Sequence, residues 1–236
     1  MRITIHQPEH MPWLGFFHKI SMADDLVILD SVQYRKNYFQ NRNKILTNES
    51  WQWITVPVKN SFGQLIKDVQ IDGDNKVWKR KYWDSVCHAY QKKPFFKRYA
   101  KDIKDIICKE RIFLAELNCA LIFKLMDFLK LTPNVIRSSQ MKVQGKGSEL
   151  LLDICIKAKA DTYISGISGK EYLDVGSFEK SGIKVVFQEF HHPIYDQMRD
   201  CFLECMSVID LLFNYGEKSL DVIKGKGVAV MEEVLL

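Results

Sequence analysis

From Ile3 the chain reads ITIHQPEHMPWLGFF. A short apolar strand, Met1 to Ile5, runs without polar padding into His6-Gln7-Pro8, and Pro12-Trp13-Leu14-Gly15 follows closely. Proline locks φ and glycine permits close approach, so the two prolines and the glycine hold this turn to few conformations. Three imidazoles, His6, His10 and His18, surround it. A constrained turn rich in titratable groups at the carboxyl end of a strand is where α/β proteins place ligand sites. The same residues also suit a packed turn whose proline and tryptophan seal a core.

The pattern continues as α/β. Leu14, Phe17, Ile20 and Met22 fall near helical spacing, and LVILDSV is a β-branched run typical of a buried parallel strand, with Asp30 at its end. QYRKNYFQNRNKI is polar, basic and aromatic without a clean period, which predicts a functional loop. WQWITVPV alternates as a strand, a Gly-containing turn follows, and a short strand is expected near LIKDVQI. From Lys76 to Leu131 the period is helical, broken at Pro94 and stopped at Thr132-Pro133. Beyond it, NVIRSS, DTYISG and IKVVFQEF read as strands and EYLDVGSFEKSG as mixed or helical. Ser148 is placed to cap the helix ELLLDICIKAKA, and FLECMSVIDLLFNYG is a helix closed by Gly216. Strand–helix–strand units at both ends predict a Rossmann-like parallel or mixed sheet covered by helices. The reading is one α/β domain over residues 1–236, with residues 76–131 as a basic helical insertion or lid.

At 236 residues the chain can bury a substantial core. No apolar run approaches the ~20 residues that span a bilayer, so no membrane insertion is expected. The first residues read as a strand rather than a signal peptide, which predicts a cytoplasmic protein. The six cysteines contain no C-x-x-C pair and read as reduced packing residues, with Cys201 and Cys205 one turn apart on a helix. A zinc site from these two with His191 and His192 lacks standard spacing, and the reading is no metal. The net charge of +5 conceals an asymmetry: Lys76 to Arg111 holds twelve Lys/Arg against four acids, an excess of eight. Aromatics interleave with these cations, as suits partners from a nucleotide sugar to RNA; amphipathic helices with solvated lysines would look the same.

Four clusters follow proposed strand ends: His6, Gln7 and His10; Asp30 and Gln33 with Arg35, Arg42, Asn43 and Lys44; SGISGKEY at Ser165–Tyr172; and FHHPIYDQ at Phe190–Gln197. In a parallel sheet these ends share one edge, so His6, Asp30, Arg42 and His192 are expected around one cleft. Ser168 and Lys170 offer backbone N–H groups and a cation to a phosphate, although plain turn chemistry explains the glycines as well. His191-His192-Pro193 places imidazole, suited to proton transfer near neutral pH, beside a rigid turn.

HQPEHMPWLGFFHKI, DDLVILDSVQYRKNYFQNRNKI, WITVPV, ADTYISGISGKEYLD and HHPIYDQ with FLECMSVIDLLFNYG together resemble the WbqC-like family, from the first residues to about Gly216. The resemblance marks Gln7, Pro8, Pro12, Trp13, Gly15, Asp30, Gln33, Asn41, Arg42, Gly166, Tyr172, His192, Pro193, Tyr195 and Gln197 as matching positions without assigning their roles. It implies a part in bacterial O-antigen or other surface-polysaccharide synthesis, with modification of an amino sugar carried on a nucleotide. A looser similarity is to adenylyl-transferring Rossmann-like enzymes, whose His-x-Gly-His turn is replaced here by Trp13-Leu14-Gly15-Phe16.

The expected activity is transfer of an acyl or aminoacyl group to the amine of a nucleotide-linked amino sugar. It needs a base near pH 7, for which His192 is first choice, then His6 or Asp30. Gln7 and backbone N–H groups near Gly15 suit an oxyanion. Trp13 and Tyr34 suit stacking, and Arg42, Lys44, Lys79, Arg80 and Lys81 suit a pyrophosphate. His10, Gln33, Asn43, Tyr172, Tyr195 and Gln197 complete the expected substrate contacts. The donor is open among acyl-CoA, aminoacyl-tRNA and an acyl adenylate made with ATP, so tRNA is a candidate partner. The competing classes are a nucleotidyltransferase and a non-catalytic sugar-nucleotide or RNA-binding protein.

Overall fold

A computed structural model describes residues 1–226. In chain order it begins with β1 (Arg2–His6), α1 (Leu14–Ser21) and β2 (Asp25–Ile28). Two small hairpins follow, β3 (Arg42–Leu46) with β4 (Trp51–Thr55) and β5 (Val58–Lys59) with β6 (Gln70–Ile71). Three helices come next: α2 (Trp78–Tyr90), α3 (Phe96–Cys108) and α4 (Leu114–Phe128). The carboxyl half holds β7 (Asn134–Arg137), α5 (Ser148–Lys157), β8 (Thr162–Ser165), α6 (Val175–Lys180), β9 (Lys184–Phe187), α7 (Val208–Tyr215) and α8 (Ser219–Ile223).

β1 is the central strand of a five-stranded sheet ordered β7-β2-β1-β8-β9, parallel at every pairing. The chain builds outward from β1 through β2 to β7, then crosses back and builds outward again through β8 to β9. That reversal makes a topological switch point between β1 and β8, where α/β sheets open a crevice at their carboxyl edge. Alternation along the strands supplies both faces with apolar side chains. Leu26 and Ile28 pack into one core with α1, α2–α4 and α7, while Ile3, Ile5, Val27 and Leu29 pack into a second with α5 and α6. The aromatics of the basic segment, Trp78, Tyr82, Trp83, Tyr90 and Tyr99, all face inward to the first core. No helix among the described residues is long and apolar enough to cross a membrane.

Several local expectations change. The polar stretch from Gln33 ends in a strand, because Asn43, Ile45 and Leu46 are buried while Arg42 and Lys44 are only partly so, and β3 pairs with β4 in full register. The short strand expected near LIKDVQI is β6, confined to Gln70–Ile71, and a 3-10 turn at Ile66–Asp68 precedes it. Ser148 is the first residue of α5 rather than its cap; Gly147 holds the cap position at φ 54°, and the Ser148 hydroxyl accepts the Asp174 N–H at 2.9 Å. The last predicted helix starts only at Val208, so Cys201 and Cys205 are exposed in the preceding loop.

The loop from Gln7 to Pro12 is held by neutral amides from distant segments. Asn118 of α4 donates to the carbonyls of Pro8 at 2.8 Å and Gln40 at 2.7 Å, and its oxygen accepts His10 Nδ1–H at 2.9 Å. The Tyr82 hydroxyl of α2 donates to His10 Nε2 at 2.8 Å. Asn43 of β3 donates to the carbonyls of His10 at 3.2 Å and Met11 at 2.7 Å. These bonds hold Met11 at φ 45°, a left-handed conformation that costs of order 1–3 kcal/mol for a side chain of this kind. Asn118→Ala leaves three buried polar groups unpaired and is expected to cost about 2–4 kcal/mol in urea denaturation. A loss below about 1 kcal/mol would show that the loop does not depend on this amide.

Candidate functional site

The crevice at the switch point has two adjoining lobes that share His6, Glu9, Lys19, Tyr38, Gly166 and Ser168. One lobe, about 390 Å³, extends toward Gln7, Leu150, Ser165 and Tyr172. The other, about 800 Å³, extends toward Trp13, Gly15, Phe39, Gln188, Phe190 and His191. Volumes of this size suit a small-molecule ligand.

Two glycines shape it. A Cβ on Gly15 would lie 2.4 Å from the Trp13 indole, so glycine there lets the ring lie across the start of α1. A Cβ on Gly169 would meet the Ser165 hydroxyl at 2.1 Å, so glycine there lets the turn after β8 close over that serine. Gln188 ties β9's end to α1 by donating to the Gly15 carbonyl and to His18 Nδ1, both at 2.9 Å.

Three titratable side chains share the floor. His6 packs its ring against Phe16 and donates Nδ1–H to the Gln7 carbonyl at 3.1 Å. Burial, with Lys19 adding to it, pulls its pKa well below the usual imidazole value, so the ring is neutral. Burial pushes the Glu9 carboxyl up to about 7, with Lys19 opposing the shift. Its Oε1 lies 3.9 Å from His6 Nδ1, and its buried Oε2 has no hydrogen-bond partner. Lys19, buried on α1, donates to the Ile5 carbonyl at 3.3 Å; desolvation pulls it down to about 8, with Glu9 opposing. A carboxyl on the crevice lining that changes charge near pH 7 has the pKa suited to taking and returning a proton.

Of the sequence-predicted residues, His6, Gln7, Trp13, Gly15, Ser168 and Tyr172 line this crevice. Gln7 is oriented by Gln40 Nε2, which donates to its oxygen at 2.6 Å. Lys170, on the same turn as Ser168, is exposed with its ammonium 5.6 Å from the Phe187 ring.

Other residues are engaged elsewhere. Asp30 is fully buried and paired with Arg137 Nε at 2.7 Å; it also accepts from Ser138, from Ser139 N–H and from the Ser139 hydroxyl, which leaves no lone pair suited to a base. His10 and Asn43 are occupied in the loop scaffold. Tyr34 is buried in the core, and Gln33 is exposed in a bridge to Leu65. Arg42 and Lys44 lie over Trp53 and Trp51 on the hairpin, not in the crevice.

His192 uses both ring nitrogens, donating Nδ1–H to the Pro193 carbonyl at 3.0 Å and accepting the Cys205 N–H at 3.2 Å. The His191 side of this pair lines the crevice instead. Tyr195 and Gln197 do not orient His192 by hydrogen bonds; both are buried and donate to Asp210 Oδ2, at 2.8 and 3.0 Å. Lys79 is tied to Glu110 at 2.6 Å and to the Cys108 carbonyl, while Arg80 and Lys81 are exposed; none of the three lines either lobe. Among the described residues no group of three His, Cys, Asp or Glu is placed to hold a metal ion.

Glu9 and Lys19 are the residues that sequence reasoning passed over. Glu9 sits between two histidines in the constrained turn, and Lys19 falls four residues after Gly15, on the helix face turned to β1. A lysine on the buried face of a helix is itself the signal.

The fold defines a doubly wound α/β protein with a crevice at the switch point, lined by the buried Glu9 and Lys19. The chain belongs to the WbqC-like protein family, whose model matches residues 7–222. It is 31% identical over 227 residues to the uncharacterized protein Rv1507c of Mycobacterium tuberculosis, a likeness covering 94% of this chain and 97% of that protein. A shorter likeness, 31% over 93 residues, joins 34% of this chain to 9% of a phosphoenolpyruvate carboxylase of Trichormus variabilis. So small a part of that enzyme carries no argument about activity.

Two outcomes are expected from the buried pair. Lys19→Met removes the charge that holds Glu9 down, so the Glu9 titration followed by carboxyl ¹³C NMR should move above 7. Because the folded-state pKa of Glu9 is raised, its protonated form contributes stability that is fully present below the ordinary value of 4.5 and is lost as pH rises through about 7. Relative to Glu9→Gln, the wild type should therefore lose stability across that window, by at most about 1.4 kcal/mol per pH unit. A constant difference between pH 4.5 and 7 would mean Glu9 titrates as an ordinary carboxyl.

Proposed function

We propose that this protein is an enzyme of bacterial surface-polysaccharide synthesis that transfers an acyl or aminoacyl group to the amine of a nucleotide-linked amino sugar. The observation that carries the reading is Glu9, a carboxyl whose pKa burial raises to about 7, on the lining of a crevice of substrate size. A sugar ammonium must lose a proton before its nitrogen can attack a carbonyl, and a base with a pKa near the working pH serves best.

In this reading the Glu9 carboxylate takes the proton from the sugar ammonium. The freed amine forms an N–C bond to the carbonyl of an activated acyl ester, thioester or adenylate. The carbonyl π pair moves to oxygen, where the Gln7 amide N–H groups receive it, since the Gln7 oxygen is already taken by Gln40. Collapse restores the carbonyl and breaks the bond to the leaving group, which departs with its electron pair, and the second nitrogen proton is lost to it or to solvent. Trp13 and Tyr172 offer faces for the sugar, and Lys19 keeps Glu9 ionised over part of the working range.

A second reading, nucleotidyl transfer, is favoured by one specific feature: the crevice lies at the switch point of a sheet with the strand order of nucleotide-binding folds. Purified protein incubated with nucleotide amino sugars and donors, with and without ATP, separates the two. Gain of an acyl mass on the sugar supports transfer, whereas pyrophosphate release with a nucleotidyl product supports the alternative.

With an acceptor in hand, Glu9→Gln should lower turnover by roughly 10²–10⁴-fold and abolish the acidic limb of the rate profile near pH 7. His192→Ala should leave that limb in place. If the limb persists in Glu9→Gln and disappears in His192→Ala, Glu9 is not the base.

A further inference from the structure

Beside the mouth of the crevice stands a surface that the proposed reaction does not use. Tyr38 and Phe39 lie at the mouth, and from them a row of aromatic rings continues along the β3–β4 hairpin. Ring centroids are 5.2 Å apart for Tyr38 and Phe39, 6.0 Å for Phe39 and Trp53, and 5.4 Å for Trp53 and Trp51.

Cations are set on this row one by one: Arg35 4.7 Å from the Tyr38 ring, Arg42 4.2 Å from Trp53 and Lys44 4.4 Å from Trp51. The register explains the order, since Lys44 opposes Trp53 and Leu46 opposes Trp51, so alternate residues of both strands present one face. Among the described residues none of these three cations has a carboxylate partner, and the buried Nε of Arg42 has no hydrogen-bond partner. Other cations among the described residues, Arg80, Lys81, Lys97 and Lys104 included, also lack an acid partner, but they are not set over a row of rings as these three are. Tyr38 and Trp51 keep 38% and 37% of their surface open to solvent.

We infer that this hairpin binds a single-stranded oligonucleotide whose end enters the crevice. Bases stack on aromatic faces and phosphates pair with the interleaved cations, the arrangement by which proteins hold single strands without reading sequence. A sugar alone would use the rings and leave the charges idle. A free nucleotide has one base to set against four rings, and its phosphates cluster at one end rather than alternating with stacked bases. Only the direction of the strand's end toward Glu9, as carrier of the acyl donor, rests on the proposed transfer reaction; the binding does not.

The test is fluorescence anisotropy of a 5′-fluorescein ribohexamer, A6, titrated with the full chain at several NaCl concentrations. Three engaged phosphates predict a slope of log K against log salt of about −2, and Lys44→Gln should make it shallower by about 0.7. Trp51→Ala should weaken binding by about 5- to 150-fold, with Trp51→Phe recovering most of it and unchanged thermal melts confirming the fold. Arg80→Gln with Lys81→Gln, on the outer face of α2, should change neither quantity. Absence of hexamer binding, or loss with the α2 pair but not with the hairpin variants, overturns the inference. So does ADP binding with the same affinity, salt slope and Trp51 dependence as the hexamer, because the surface would then be a mononucleotide site. The readout needs no turnover, so a failure of the transfer reaction and a failure of this binding are separately visible.

Discussion

The carboxamide of Asn118 supports nearly everything that happens at the edge of the sheet. It satisfies two carbonyls and one imidazole N–H from three places along the loop and its neighbour. With Asn43 and Tyr82 it makes a buried polar scaffold without a formal charge. The neutrality matters. Burying an ion pair to hold the loop would have brought a large desolvation cost and a strong field beside the crevice. Amides hold the backbone while leaving the nearby electrostatics to Glu9 and Lys19, whose pKa values are pulled toward each other until both lie near neutrality.

That convergence gives the crevice its chemical character. Neutral His6 donates toward the backbone and packs on Phe16, so it contributes a shaped wall rather than a charge. The excess of positive charge on α2–α3 stands apart. Its lysines lie on the outer side of helices whose aromatic face is in the core, and several are tied to neighbouring acids in exposed pairs of small energetic value. On the hairpin, by contrast, Arg35, Arg42 and Lys44 each lie over an aromatic ring rather than beside an acid.

The strands of the sheet were legible because buried parallel strands are short β-branched runs, and LVILDSV, DTYISG and IKVVFQEF are of that kind. The constrained turn after β1 was legible as part of the sheet's carboxyl edge, and it lines the crevice there. Which of the polar residues face that crevice was not. Asp30 looks like a free carboxylate at a strand end, but its neutralising Arg137 is 107 residues away, beyond the reach of any local pattern. His192 looks like a base until the fold brings Cys205 N–H onto its lone pair. β3 was hidden because its buried positions include Asn43, a polar residue inside for the sake of two loop carbonyls. Lys19 was hidden among good helix formers, where only its phase distinguishes it.

The scaffold has a consequence for how the molecule is made. β1 precedes the other strands of the sheet in the chain, yet it is the central one, and β8, its partner on one side, lies about 160 residues later. The clamp on the turn that follows β1 waits for α4, some 110 residues downstream. Until then β1 can pair only with β2, and a turn containing a left-handed methionine lacks its clamp. Early segments that close only through such distant contacts fold slowly and expose sticky surface meanwhile. The turn that borders the crevice is thus among the last parts of the sheet's edge to take shape, and chains still being synthesised should lean on chaperones for longer than their size alone would require.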